Sequence, residues 1–272
     1  MTTLRVSFLE FSLKDASIMR AMTRRTCLLT SALLGFYSLG HCQEPASAPA
    51  EVSQPYSDED AAKLKLRNEL WNRAEALSAA YSEDAIPFYQ QVLAIEAEVL
   101  GKEHPDYATS LNSLAALYRS LGDYARAEPL YMEAAAIREK IFGKQHPSYA
   151  ASLNNLALLY MSSGDYARAE SLFAEATAIE EKVLGKEHPD YATGLNNLAL
   201  LYDSMGEYAR SEPLYLEAKT IWEKAIGKEH PNYAASLNNL AGLYESMGDI
   251  ARAEPLYLEA KAIWGKALGT EH

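Results

Sequence analysis

The sequence predicts an all-α solenoid of stacked helical hairpins, and three observations carry that reading. First, the segment His104-Pro-Asp-Tyr-Ala-Thr-Ser-Leu-Asn-Ser-Leu-Ala-Ala-Leu-Tyr118 returns from His146, His188 and His230, each time 42 residues later. The copies beginning at 146 and 188 are identical at 27 of 42 positions, and such self-similarity marks a repeat array. Second, apolar residues in each copy fall at i, i+3, i+4 and i+7, as in Leu111, Leu114, Ala115 and Tyr118. That is the period of a helix. A propeller blade has a comparable repeat length but needs four short β-branched strands, whereas these units are rich in Ala, Leu, Glu, Lys and Tyr. Third, each copy holds one internal stop, Gly122, Gly164, Gly206 or Gly248, followed by Asp123, Asp165, Glu207 or Asp249. Glycine ends one helix and aspartate caps the next. Each unit is therefore a hairpin, about 105–121 and 124–142 in the first copy.

Composition narrows the chemistry. The chain has 272 residues, 49% of them hydrophobic, with 25 basic and 37 acidic residues for a net charge of −12. That is too apolar for a disordered chain. Residues 1–42 are locally basic, so the acidity belongs to the body. An acidic body binds polyanions poorly, so neither nucleic acid nor an anionic membrane surface is expected as a partner. Both cysteines, Cys27 and Cys42, lie in the first 42 residues. The repeats can therefore carry no disulfide, cysteine–zinc site or cysteine nucleophile.

From the N-terminus, Met22-Thr-Arg-Arg-Thr26 is a basic stretch before an apolar run from Cys27 to Leu39. Thirteen residues are short for a bilayer but suit the core of a secretory signal. Small residues at Ser38, Gly40 and Cys42 allow cleavage after Gly40 or Cys42, so residues 1–42 are read as a signal peptide and the protein as periplasmic or secreted. Translation start at Met19 or Met22 is an alternative, since Glu10 and Asp15 fit a signal badly. A lipid anchor at Cys42 is disfavoured by His41. Residues 43–56, with Pro45, Pro49 and Pro55, read as a flexible tether. A degenerate unit follows over 57–101, its first helix about 58–79 with Leu66, Leu70, Trp71 and Leu77. Full repeats then begin at 104, 146, 188 and 230, making about five helix pairs, the last helix near 249–268.

Leu111, Leu114, Ala115 and Tyr118, then Ala127, Tyr131 and Ala134, resemble the tetratricopeptide signature of interlocking large and small residues. The pattern repeats at Leu153, Tyr160, Ala169 and Phe173, at Leu195 and Tyr202, and at Leu237, Tyr244, Ala253 and Tyr257, with Ser211 departing from alanine. The 42-residue period, the Leu-Asn-Asn-Leu-Ala core and the Ala-Glu-Pro-Leu-Tyr box are similar to the repeats of kinesin light chains and their bacterial relatives. The coiled coil of those motor adaptors is missing from this sequence, and an export signal is at odds with a cytosolic adaptor. The resemblance implies a right-handed α-solenoid whose first helices line a concave groove, and a scaffold that binds a protein or an extended peptide without being an enzyme or using a cofactor.

By that resemblance, Asn112, Asn154, Asn196 and Asn238 form a groove ladder beside Ser113, Asn155, Asn197 and Asn239. An amide both donates to and accepts from a peptide backbone; the competing reading is that these amides brace helices. Specificity is expected from Arg119, Met161, Asp203 and Glu245, whose charges imply a ligand with a basic segment towards the C-terminal repeats. The repeated histidines read as linker residues, because neighbouring repeats stand about 8–10 Å apart and a shared metal wants ligands near 2 Å. Pro129, Pro213 and Pro255 are expected to kink their helices. The register Glu96, Arg138, Glu180, Trp222, Trp264 reads as solvent-facing, which would make Trp222 and Trp264 an exposed association strip and give homo-oligomers through an uncapped C-terminal end. The rival functions are a self-associating envelope assembly protein and a regulatory module of a longer enzyme.

Overall fold

The computed structural model describes residues 56–268. The segment read as a signal peptide and all of the residues read as a tether except Tyr56 lie outside them. Among the described residues there are ten α-helices and no strand. They are α1 (Asp58–Ser78), α2 (Ile86–Val99), α3 (Pro105–Ser120), α4 (Tyr124–Phe142), α5 (Pro147–Ser163), α6 (Tyr166–Leu184), α7 (Pro189–Ser204), α8 (Tyr208–Ala225), α9 (Pro231–Ser246) and α10 (Ile250–Leu268). A short 3-10 turn, Glu83–Ala85, leads into α2.

The helix starts have local causes. In every repeat the linker histidine is the N-cap: Nδ1 of His104, His146, His188 and His230 accepts the backbone N–H two residues on, at 3.1–3.2 Å. The next residue is proline, whose missing N–H leaves nothing unsatisfied in a first turn. These imidazoles are structural caps. Within each hairpin, glycine closes the first helix; Gly164 sits at φ 82°, where a side chain would be strained. Asp123, Asp165 and Asp249 then cap the second helix by accepting the N–H three residues on. Glu207, one methylene longer, makes no such bond. Pro129, Pro213 and Pro255 lie inside α4, α8 and α10, which continue through them unbroken.

Packing follows the large-and-small pattern. Leu111, Leu114, Ala115 and Tyr118 of α3 are buried against Ala127, Tyr131 and Ala134 of α4. The alanines have no exposed surface, so the paired helices can approach closely where they sit. Each second helix packs on the next first helix, and successive first helices also touch: α3 with α5, α5 with α7, α7 with α9. Successive second helices make fewer contacts. The first helices therefore form the inner side of the stack.

A repeated clamp fixes the step between hairpins. Tyr160 Oη donates to Glu128 Oε1 of the preceding repeat at 2.7 Å, while Arg168 lies 3.9 Å above the Tyr160 ring and pairs with the same carboxylate at 3.1 Å. Tyr202, Glu170 and Arg210 repeat the arrangement, as do Tyr244, Glu212 and Arg252. Partly exposed contacts of this kind are each worth only about 0.2–1 kcal/mol, so their part is to set register rather than to hold the stack.

The solvent-facing reading of one register is corrected. Glu96, Arg138, Glu180 and Trp222 are all buried, Trp222 with no exposed surface at all. Trp222 packs with Tyr191, Leu195, Ala218 and Ile221 where α8 meets α7. Trp264 is half-buried beside Tyr233 and Leu237. There is no exposed tryptophan strip. The error has a physical origin: glutamate and arginine occur in this column because each finds a polar partner in the seam, not because the seam is wet.

Candidate functional site

The inner face is a stripe of first-helix positions three and four residues apart. In α5 it runs through Ser148, Ala151, Asn155, Leu158 and Ser162, all wholly or partly accessible. In α7 the same stripe is Asp190, Thr193, Asn197, Leu200 and Ser204. Here the asparagine lies deeper, at 6% exposure, with the other four more open around it. The serines at the end, Ser162 and Ser204, turn back to carbonyls of their own helix. What remains at the centre is two asparagines, each with a partly exposed leucine one turn on.

The expected ladder is split by this geometry. Asn112, Asn154, Asn196 and Asn238 are buried and take no part in an open face. One residue past the core leucine is about 100° round the helix, which aims these amides into the seam. With its amide turned as its neighbours require, Asn112 Oδ1 accepts from Arg138 Nη1 and Nη2 at 2.7 and 3.2 Å. Asn154 Nδ2 donates to Glu180 Oε1 at 3.0 Å. Asn196 Oδ1 accepts from Asn239 Nδ2 at 3.0 Å, which ties α7 to α9. Asn112, Asn154 and Asn196 thus brace the stack. One residue further on, Ser113 is buried and Asn239 is engaged, whereas Asn155 and Asn197 make no hydrogen bond among the described residues.

The four specificity positions are also unequal. Arg119 lies beside the buried Tyr131, and Glu245 Oε2 accepts from Tyr257 Oη at 2.9 Å. Met161 is partly buried against the core that contains Phe173. Asp203 differs. It makes no hydrogen bond or ion pair among the described residues, and partial burial pushes its carboxyl up to about 6. A carboxyl so placed is short of a cationic partner. The sequence separates only Met161, since the residue twelve positions on is phenylalanine there and tyrosine opposite Arg119, Asp203 and Glu245.

The family model described as "Tetratricopeptide repeat" matches at 67–140, 113–181, 148–218 and 190–266, which takes in nearly every described residue. The chain belongs to the tetratricopeptide repeat family. A crystal structure of a Podosopora anserina protein of kinesin light chain type, with nearly identical TPR-like repeats, is 30% identical to this tetratricopeptide array. It covers 78% of this chain and 99% of its own, with a TM-score of 0.59. BtubC (BKLC) from P. vanneervenii, at 21% identity over 81% of this chain and 94% of that one, shares the fold with a TM-score of 0.57. Aspartyl phosphate phosphatase F from Bacillus subtilis shares it at 16% identity and a TM-score of 0.64, over 77% of this chain and 53% of that one. No curated protein matches in sequence. The kinesin-light-chain-like character of the repeats and the all-helical stack stand as the sequence indicated.

Proposed function

We propose that this tetratricopeptide array is an exported scaffold without chemistry of its own, which holds an extended segment of a protein partner along its inner face. The observation that carries the reading is the pair of unengaged amides, Asn155 and Asn197, one repeat apart and each followed by a partly exposed leucine, Leu158 and Leu200. Amides so spaced can donate to and accept from a peptide backbone, while the leucines take apolar side chains. Asp203, unpartnered within the array, supplies the site for a basic residue of that partner. No nucleic-acid, metal or cofactor role enters this reading.

The test separates the two asparagine columns. Asn155→Ala with Asn197→Ala should weaken capture of the partner from envelope extract several-fold to roughly a hundredfold, at about 0.5–1.5 kcal/mol per lost hydrogen bond, with the melting temperature unchanged. Asn154→Ala should do the reverse, lowering the melting temperature because it leaves Glu180 without its donor. Equal capture by the first variant and wild type would remove the inner face from consideration. Export is tested separately: N-terminal sequencing of the protein from envelope or medium should give a start near His41 or Gln43. An intact N-terminus recovered from cytosol would refute export and leave the binding face untouched.

A further inference from the structure

Taking the inner face as the binding surface proposed above, we infer that it holds its partner as a left-handed polyproline II segment, with an apolar residue at every third position and a basic residue beside the second of these. The place is two repeats long. Among the described residues, only α5 and α7 offer both an unengaged amide, Asn155 or Asn197, and a partly exposed leucine one turn on, Leu158 or Leu200. In α3 the same two positions are the buried Ser113 and the short Ala116. In α9 they are Asn239, already bonded to Asn196, and Gly242.

Spacing and free amides choose among the conformations open to a partner segment. α5 and α7 touch, so the two leucines recur at one helix-packing distance, about 8–10 Å. A β-strand returns a side chain to the same side every two residues, about 7 Å. That is out of step with the face. A polyproline II helix does so every three residues, about 9 Å, and an α-helix every seven, about 10 Å. The amides decide between these two. An α-helix pairs its backbone N–H and C=O groups internally, so it would leave Asn155 and Asn197 without partners. Polyproline II has no internal hydrogen bonds and keeps each carbonyl free to accept. It is also preformed, so little conformational freedom is lost on docking. Charge fixes the last feature. Asp203 lies three residues after Leu200, on the same side of α7, and is without a partner among the described residues. Three residues per turn set neighbouring polyproline II side chains about 120° apart. The residue adjoining the second apolar one therefore turns sideways to Asp203, where a lysine or arginine completes the carboxylate.

Fluorescence anisotropy of the full chain with three labelled peptides tests this, each peptide carrying two leucines and an arginine beside the second. The first is proline-rich with its leucines three apart. The second has the same composition with the leucines two apart, and the third is an alanine-rich helix with the leucines seven apart. The first should bind roughly tenfold more tightly than either of the others. Asn155→Ala with Asn197→Ala should weaken it several-fold to roughly a hundredfold. Asp203→Asn keeps the side-chain shape, so the melting temperature should hold while the first peptide loses roughly tenfold in affinity. A glutamine-for-arginine version of that peptide should lose nothing further on Asp203→Asn. Equal binding of the second or third peptide, no binding of the first at about 1 mM, or equal losses for its arginine and glutamine versions would overturn the assignment. The surface itself is judged apart from its occupant's conformation: an asparagine variant that fails to capture its partner from extract, while the first peptide shows no advantage, refutes the polyproline II form and leaves the inner face in place.

Discussion

Arg67→Ala is expected to cost about 3–5 kcal/mol, the usual loss when one partner of a buried ion pair is removed. Glu96 of α2 has no exposed surface, and Arg67 Nε of α1 reaches its Oε1 at 2.6 Å. Nη2 of the same guanidinium pairs with Asp106 of α3 at 3.1 Å. One side chain thus joins the degenerate first hairpin to the first full repeat. Burial holds Glu96 above the ordinary carboxylate range, while Ser110 and Arg67 pull against it. Without Arg67 the carboxylate must be buried bare or take up a proton. Arg67→Ala/Glu96→Gln should therefore recover most of the loss, since a neutral amide needs no counter-charge. Repeat arrays unfold in segments, so amide exchange read helix by helix is the measurement: protection should collapse in α1 and α2 and persist beyond α5. A loss under about 1 kcal/mol would mean that Glu96 is already neutral in the native protein.

The hairpins were legible in the sequence because each boundary has a one-residue cause. His-Pro opens a helix, Gly-Asp turns the chain, and the Leu–Ala–Tyr spacing says which side is buried. None of these needs knowledge of the neighbouring repeat. The seam was not legible, because its rule is relational. Arg138 is buried only because Asn112, Thr109 and Ser152 meet it, and those partners come from the preceding and following helices. A column reading Glu, Arg, Glu looks solvent-facing when taken alone. Read together with the asparagine column and the position held by Ser110, Ser152, Gly194 and Ser236, it shows itself as a set of matched neighbours. The same relational rule divides the two asparagine columns, both of which read from sequence as groove positions. Asn154 and Asn155 are adjacent in sequence, and a rotation of about 100° puts the first in the seam and the second on the inner face.

The third seam gives the other large effect, a stability that falls as pH rises. Glu180 is buried among Asn154 of α5, Thr177 of its own helix, and Gly194 and Asp190 of α7, with no cation in that set. Gly194 makes the room: a Cβ there would stand 2.6 Å from Glu180 Oε2 and from Thr177 Oγ1. Desolvation, with a smaller push from Asp190 and against the Asn154 hydrogen bond, drives the Glu180 carboxyl up to about 8. In the unfolded chain it titrates near 4.3. Between those values the native protein holds a proton that the unfolded chain has released. The contribution is therefore full below about pH 4.3 and is lost as pH rises through about 8. Other groups act elsewhere on the scale. Asp203, raised to about 6, has finished titrating by about pH 7. His230, lowered by burial, destabilises the fold only as pH falls below about 6.5. Asp123, Asp165 and Asp249, lowered by their cap bonds and arginines, matter only in stronger acid. Glu96, also raised by burial, is common to wild type and a Glu180 variant, so the difference between their profiles from about 6.5 to 8.5 belongs to Glu180. Across that range the Glu180 contribution to the unfolding free energy of wild type should drop by on the order of 2 kcal/mol, at about 1.4 kcal/mol per unit. Glu180→Gln, neutral at every pH and still able to accept from Asn154, should lack that drop and be more stable than wild type at pH 9. Parallel profiles for the two proteins in urea titrations at matched ionic strength would show that Glu180 ionises freely in the seam, and would remove this account of why glycine stands at 194.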